Sequence, residues 1–187
     1  MGILNRIVQS TAPWMPKIVI GRIASVYVAG DKLEDGIDLV RKLNKKGFVG
    51  TLDLLGEEVK NRRGITKTTN SYCDLIDGIA NSGVDCNISL KLTAIGLKVD
   101  ESLCWDNLSV ILDKAKMYNT FVRMDMEDSE VTESTIKMCK KAVNYYPNCG
   151  TVLQAYMYRT SDDIDLLKGP NTNIRLCKGA YKESKDI

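Results

Sequence analysis

Five times along the chain a short run of β-type residues is followed by a loop and then by an amphipathic helical pattern. The β-type runs are 49–54, 87–92, 120–126, 151–157 and 173–178. A helix precedes the first of them: Asp31 is placed to cap it, Leu33, Ile37, Val40 and Leu43 form its apolar stripe, and Gly47 stops it. Further helices are predicted over 70–83 (Leu75, Ile76 and Ile79, with Gly83 as the stop), 101–118 (Leu108, Ile111, Leu112 and Ala115), 132–146 and 160–168, where Thr160 and Asp163 suit a capped first turn. Strands alternating with helices imply parallel strands joined by right-handed crossovers. Residues 1–30 fit the pattern poorly and read as an arm or short helices on the outside, which divides the chain into an arm and helix over 1–47 and a barrel-like unit over 48–187.

Alternation inside the strands narrows the fold. One face carries Thr51 and Asp53, Ser89 and Lys91, Arg123 and Asp125, Val152, Gln154 and Tyr156, and Arg175 and Cys177. The other carries leucine, valine, methionine and isoleucine. Strands of a doubly wound sheet are covered on both sides and read as nearly continuous apolar runs. A polar face on every strand instead suits an α/β fold of the (β/α) TIM-type barrel, with helices outside and a site inside, toward the C-terminal strand ends. Charges in such an interior are costly without a ligand or a complete ion network. A full barrel needs about 250 residues, so five strand–helix steps are expected to form an incomplete one, about five of eight strands.

Composition removes several functions. With 187 residues, 44% apolar and 27% charged, the chain is an ordinary globular domain. Its 26 basic and 24 acidic side chains nearly cancel, which gives no electrostatic case for nucleic acid. Histidine is absent, excluding His-dependent triads, HExxH proteases and Cys/His zinc sites. The six cysteines have no metal-ligand spacing and read as reduced thiols of a cytoplasmic protein. No leader pattern is evident, and the most apolar stretch, 18–30, is broken by Arg22 and too short to span a bilayer. The KNRRG run at 60–64 reads as a solvated loop rather than a phosphate site.

The segments TLDLLGEE (51–58), NISLKLTAIGL (87–97), VRMDMEDS (122–129), VLQAYMYRT (152–160) and RLCKGAYKE (175–183), in this order, resemble the FAD-dependent proline dehydrogenase family. The resemblance implies a distorted (β/α)8 barrel that binds FAD and oxidises L-proline to Δ1-pyrroline-5-carboxylate, with a quinone as electron acceptor. It also implies three further strands and a final helix bearing a pair of arginines for the proline carboxylate. The expectations are therefore a truncated enzyme, an inactive fragment, or one half of a split enzyme with a complementing chain. Cytoplasmic placement is expected from the scattered cysteines and the lack of a leader pattern, with peripheral contact at the inner face of the membrane as the variant of it.

By that resemblance Arg175 lies beside the flavin N5, where a fixed cation stabilises charge on the reduced ring. Lys91 reaches the substrate carboxylate, and Asp125 orients Lys91 and the arginines of the final helix. Gln154, Lys178, Gly179 and Ala180 contact the cofactor, as does Met126 through its backbone; Tyr181 walls the pyrrolidine ring; Glu57 is the gate carboxylate. Without the resemblance each residue has a plainer reading. Arg175, Lys91 and Asp125 would form structural ion pairs, Met126 would fill the core, and Glu57 would be a solvated charge. Cys177, facing the lumen by parity, is expected to be a buried thiol without a redox role.

Overall fold

A computed structural model describes residues 28–169 and 172–187. The expectations for residues 1–27 lie outside the described residues. In chain order the elements are α1 (Leu33–Asn44), β1 (Gly50–Asp53), α2 (Arg62–Ser82), β2 (Cys86–Leu90), a 3-10 turn (Leu92–Ile95), α3 (Glu101–Met117), β3 (Val122–Met124), α4 (Ser129–Val143), β4 (Cys149–Gln154), α5 (Thr160–Leu166) and β5 (Asn173–Cys177). All five strands are parallel and lie in sequence order, β1-β2-β3-β4-β5, as successive crossovers require.

Helix starts follow local capping more closely than the apolar stripes did. Asn61 accepts a hydrogen bond from the Gly64 N–H at 2.8 Å, so α2 begins at Arg62, and the last three residues of the 60–64 run lie in its first turn instead of a loop. Asp31 does not cap α1; Lys32 precedes the helix, and its N–H is bonded back to the Asp35 carboxylate at 3.2 Å. Asp100 caps α3 through the N–H groups of Ser102 and Leu103. Gly83, at φ +65°, ends α2 in a left-handed conformation that costs glycine least.

Pairing register fixes which side chains share a face. Asp53, Ser89, Arg123, Gly150 and Asn173 form one row across the sheet. Two residues further along each strand, Lys91, Asp125, Val152 and Arg175 form the row above it, nearer the strand C-termini. The opposite face buries Ile88, Leu90, Val122, Met124 and Leu153 under Leu75, Ile76, Leu108, Ile111, Leu112 and Ile136 of the helices. Hydrophobic burial thus holds one side of the sheet, and the other is left polar.

Gly150 is required by the row in which it stands. A Cβ there would lie 2.1 Å from the Asn173 carbonyl oxygen. Arg123 uses the gap: its guanidinium passes across β4 and donates to the carbonyls of Thr151 and Asn173, each at 3.2 Å. On the outer side of β5, Leu176 is 59% exposed. Among the described residues no helix is long and apolar enough to cross a membrane.

Candidate active site

The polar rows meet in two ion pairs. Lys91 donates to Asp53 at 3.0 Å, and Asp53 also accepts the hydroxyl of Tyr72, a fully buried residue of α2, at 2.9 Å. Burial works against the Lys91 charge. The hydrogen bond and charge of Asp53, then the charges of Asp125 and Glu57, outweigh it and hold the ammonium above the usual lysine range. Arg175 donates to Asp125 at 2.8 Å, and Ser89 adds a hydrogen bond to the same carboxylate. The Arg175 side chain is about half exposed, and its other N–H groups are unengaged among the described residues.

Burial raises the Asp125 carboxyl above its ordinary range, outweighing the opposing Arg175 charge. A raised pKa means that the folded chain holds the proton more tightly. The resulting stability is therefore present below the unfolded value, about 4, and is lost as pH rises through the folded one. Thermal unfolding of the wild-type chain and Asp125→Asn is accordingly expected to differ progressively in the variant's favour as pH climbs above that value. A difference independent of pH would contradict this account.

Above the ion pairs, at the strand C-termini, a second set of residues forms a rim. Glu127, 3% exposed, accepts the backbone N–H of Thr93 at 3.1 Å and also the Thr93 hydroxyl. Burial pushes its carboxyl up, against the two Thr93 bonds. Gln154 donates from Nε2 to the Glu127 carbonyl at 2.8 Å and accepts the Ala180 N–H at 3.1 Å. Tyr181 donates its hydroxyl to Glu57 at 3.3 Å.

The structure brings Lys91, Asp125 and Arg175 into one lumen, but the partner bonded to Lys91 is Asp53 rather than Asp125, which acts on it through charge. Gln154 is 3% exposed and spends its amide on Glu127 and Ala180. Met126 is buried. Lys178 and Ala180 are exposed, while Gly179, at φ +114°, lies so near the Tyr156 ring that a Cβ would meet it at 1.9 Å. Cys177 is partly buried and unbonded to other cysteines. Sequence reasoning left Asp53 and Ser89 as lumen positions without a role and missed Tyr72, Thr93 and Glu127. Glu127 continues the alternation of Arg123 and Asp125, a usable signal; the Tyr72 hydroxyl is hidden within an apolar helical stripe.

The lumen offers donors suited to an anionic or electron-rich group. Arg175 offers unengaged N–H groups over a polar lumen, and the exposed Lys178 adds a second cation after β5. A parallel sheet with helices outside and charges converging inside, at the C-terminal strand ends, defines an α/β protein of the (β/α)-barrel type. The profile of the proline dehydrogenase family matches residues 37–186, and the chain belongs to that family. It is 39% identical to proline dehydrogenase 1 of Bacillus subtilis subsp. natto over 161 residues, covering 86% of this chain and 53% of that one. Against proline dehydrogenase 2 of the same organism it is 36% identical over 186 residues, 100% of this chain and 59% of the relative. The chain thus spans about half the length of the curated relatives it matches. Among solved structures, proline utilization A of Bdellovibrio bacteriovorus, inactivated by N-propargylglycine, superposes with a TM-score of 0.77 at 22% identity, covering 84% of this chain and 20% of that one.

Proposed function

We propose that this chain forms the flavin- and substrate-facing part of a site that oxidises L-proline to Δ1-pyrroline-5-carboxylate, with FAD as the acceptor. The observation that carries this reading is the convergence of Lys91, Asp125 and the half-exposed Arg175 in one lumen of a proline dehydrogenase fold. Bound FAD supplies a two-electron acceptor for the hydride that leaves proline C5, and the substrate nitrogen gives up a proton. Lys91, kept charged by Asp53, binds the proline carboxylate. Asp125 holds one arm of Arg175, whose remaining donors stabilise negative charge as it develops in the site. Lys178, Gly179 and Ala180 line the cofactor side, as do the Gln154 amide and the Met126 backbone, and Tyr181 covers the substrate ring near Glu57. A quinone takes the electrons onward, which places the protein in the cytoplasm against the inner face of the membrane.

A second reading is an assembly role, in which a complementing chain covers β5. The exposed Leu176 on that strand favours it. Visible absorbance of the purified chain with FAD, before and after L-proline without oxygen, tests the first reading. Protein-bound flavin that bleaches supports it. Bound flavin that stays oxidised, or no bound flavin, removes it and leaves the second.

A further inference from the structure

The rim contacts form a circuit. The Glu58 N–H donates to the Thr93 hydroxyl oxygen at 3.1 Å, and that hydroxyl donates to Glu127. Gln154 joins the Glu127 carbonyl to the Ala180 N–H, and the next residue, Tyr181, bonds to Glu57, beside Glu58. Each link joins the C-terminal end of one strand, or the loop after it, to that of the next, and the last returns from the loop after β5 to the loop after β1, the opposite edge of the sheet. We propose that Glu127 is a positioning residue, the hub of a hydrogen-bonded ring that holds the Glu57 and Tyr181 loops over the lumen of Lys91, Asp125 and Arg175. The significance of those loops rests on the proline dehydrogenase reading; the ring itself does not.

Three features of the chain carry this assignment. Glu127 is almost wholly buried, yet no cation bonds to it among the described residues; both carboxylate oxygens are spent on Thr93. Such a group is costly unless its hydrogen bonds are complete, so its geometry is closely determined. Glu58 sits at φ +53°, a left-handed conformation unusual for a residue with a side chain. It is held there from both ends, by its N–H on Thr93 and by its carboxylate on Lys98 at 2.7 Å. Gln154, finally, has its amide bonded to the Glu127 carbonyl and its carbonyl to the Ala180 N–H, which makes it a link between the β3 and β5 ends.

Amide hydrogen exchange of the full chain, without flavin or proline, tests the ring. Glu127→Gln keeps an oxygen for the Thr93 N–H but presents an NH2 group to the Thr93 hydroxyl; Glu127→Ala removes both acceptors. The amides of Glu58 and Ala180 are expected to exchange about tenfold faster in Glu127→Gln and faster still in Glu127→Ala, while the β2, β3 and β4 amides keep their wild-type protection. Thr93→Val, which cuts the ring without touching a charge, is expected to speed exchange at Ala180, two links away. Unchanged exchange at Ala180 in these variants, or a uniform rise over the whole sheet, would overturn the proposal. Because no flavin is present, a chain that fails to oxidise proline can still show the coupled exchange, and the converse also holds.

Discussion

Arg175→Met is expected, on the proline-oxidising reading proposed above, to slow the proline-dependent bleaching of bound flavin by about 10²–10³-fold, the usual effect of removing one preorganised electrostatic donor. One Arg175 nitrogen is fixed on Asp125 at 2.8 Å, so the guanidinium is held in place before anything binds, and its other donors need no reorganisation to meet a developing negative charge. Methionine fills similar space and offers none of this. The same change strips Asp125 of its bonded cation and leaves a mostly buried carboxylate to take up a proton. Arg175→Lys is expected to fall between the two, since an ammonium restores charge but not the planar fork. Anaerobic stopped-flow absorbance at saturating proline reads the effect; a Met variant within about threefold of wild type would show that Arg175 is only a structural ion-pair partner.

The second large effect is on the fold. Gly150→Ala is expected to cost about 3 kcal/mol, at the upper end for an overpacked site. The atom a new methyl meets is the Asn173 carbonyl oxygen, 2.1 Å away, part of the neighbouring strand's backbone and unable to swing aside as a flexible side chain would. Either β4 and β5 separate or both twist, and each outcome breaks the span of Arg123 across β4, with its bonds to the Thr151 and Asn173 carbonyls. Hydrogen bonds from a charged donor are worth about 1.5–3 kcal/mol, so that loss adds to the steric one. Urea unfolding followed by circular dichroism measures the difference, and a midpoint equal to the wild type's would refute the steric account.

How far the chain can be read without coordinates depends on what kind of force places each residue. Alternation of polar and apolar side chains survives folding because one side of every strand packs on helices, so Asp53, Lys91, Asp125 and Arg175 are legible as one face. Choosing partners on that face is another matter. Three carboxylates, Asp53, Asp125 and Glu57, lie within the electrostatic reach of Lys91, and only strand register and side-chain direction decide that the hydrogen bond goes to Asp53. The start of α2 lies eight residues before the expected 70 because residues 66–71, between Ile65 and Tyr72, are all polar and interrupt the apolar stripe, and the cap at Asn61 is a single polar residue in a charged run. Tyr72 illustrates the limit: its ring obeys the helical stripe, and nothing in its spacing announces that its hydroxyl supports Asp53.

Strand order has a kinetic consequence. Each strand pairs with the one before it in sequence, so the sheet is assembled from local steps, each closing a loop of one helix and its connections. Loop closure of this kind is fast relative to joining distant segments. The contact between Tyr181 and Glu57, by contrast, joins side chains 124 residues apart at the two edges of the sheet, and its Glu57 end is exposed. Closure of the mouth of the lumen is therefore expected to follow assembly of the sheet.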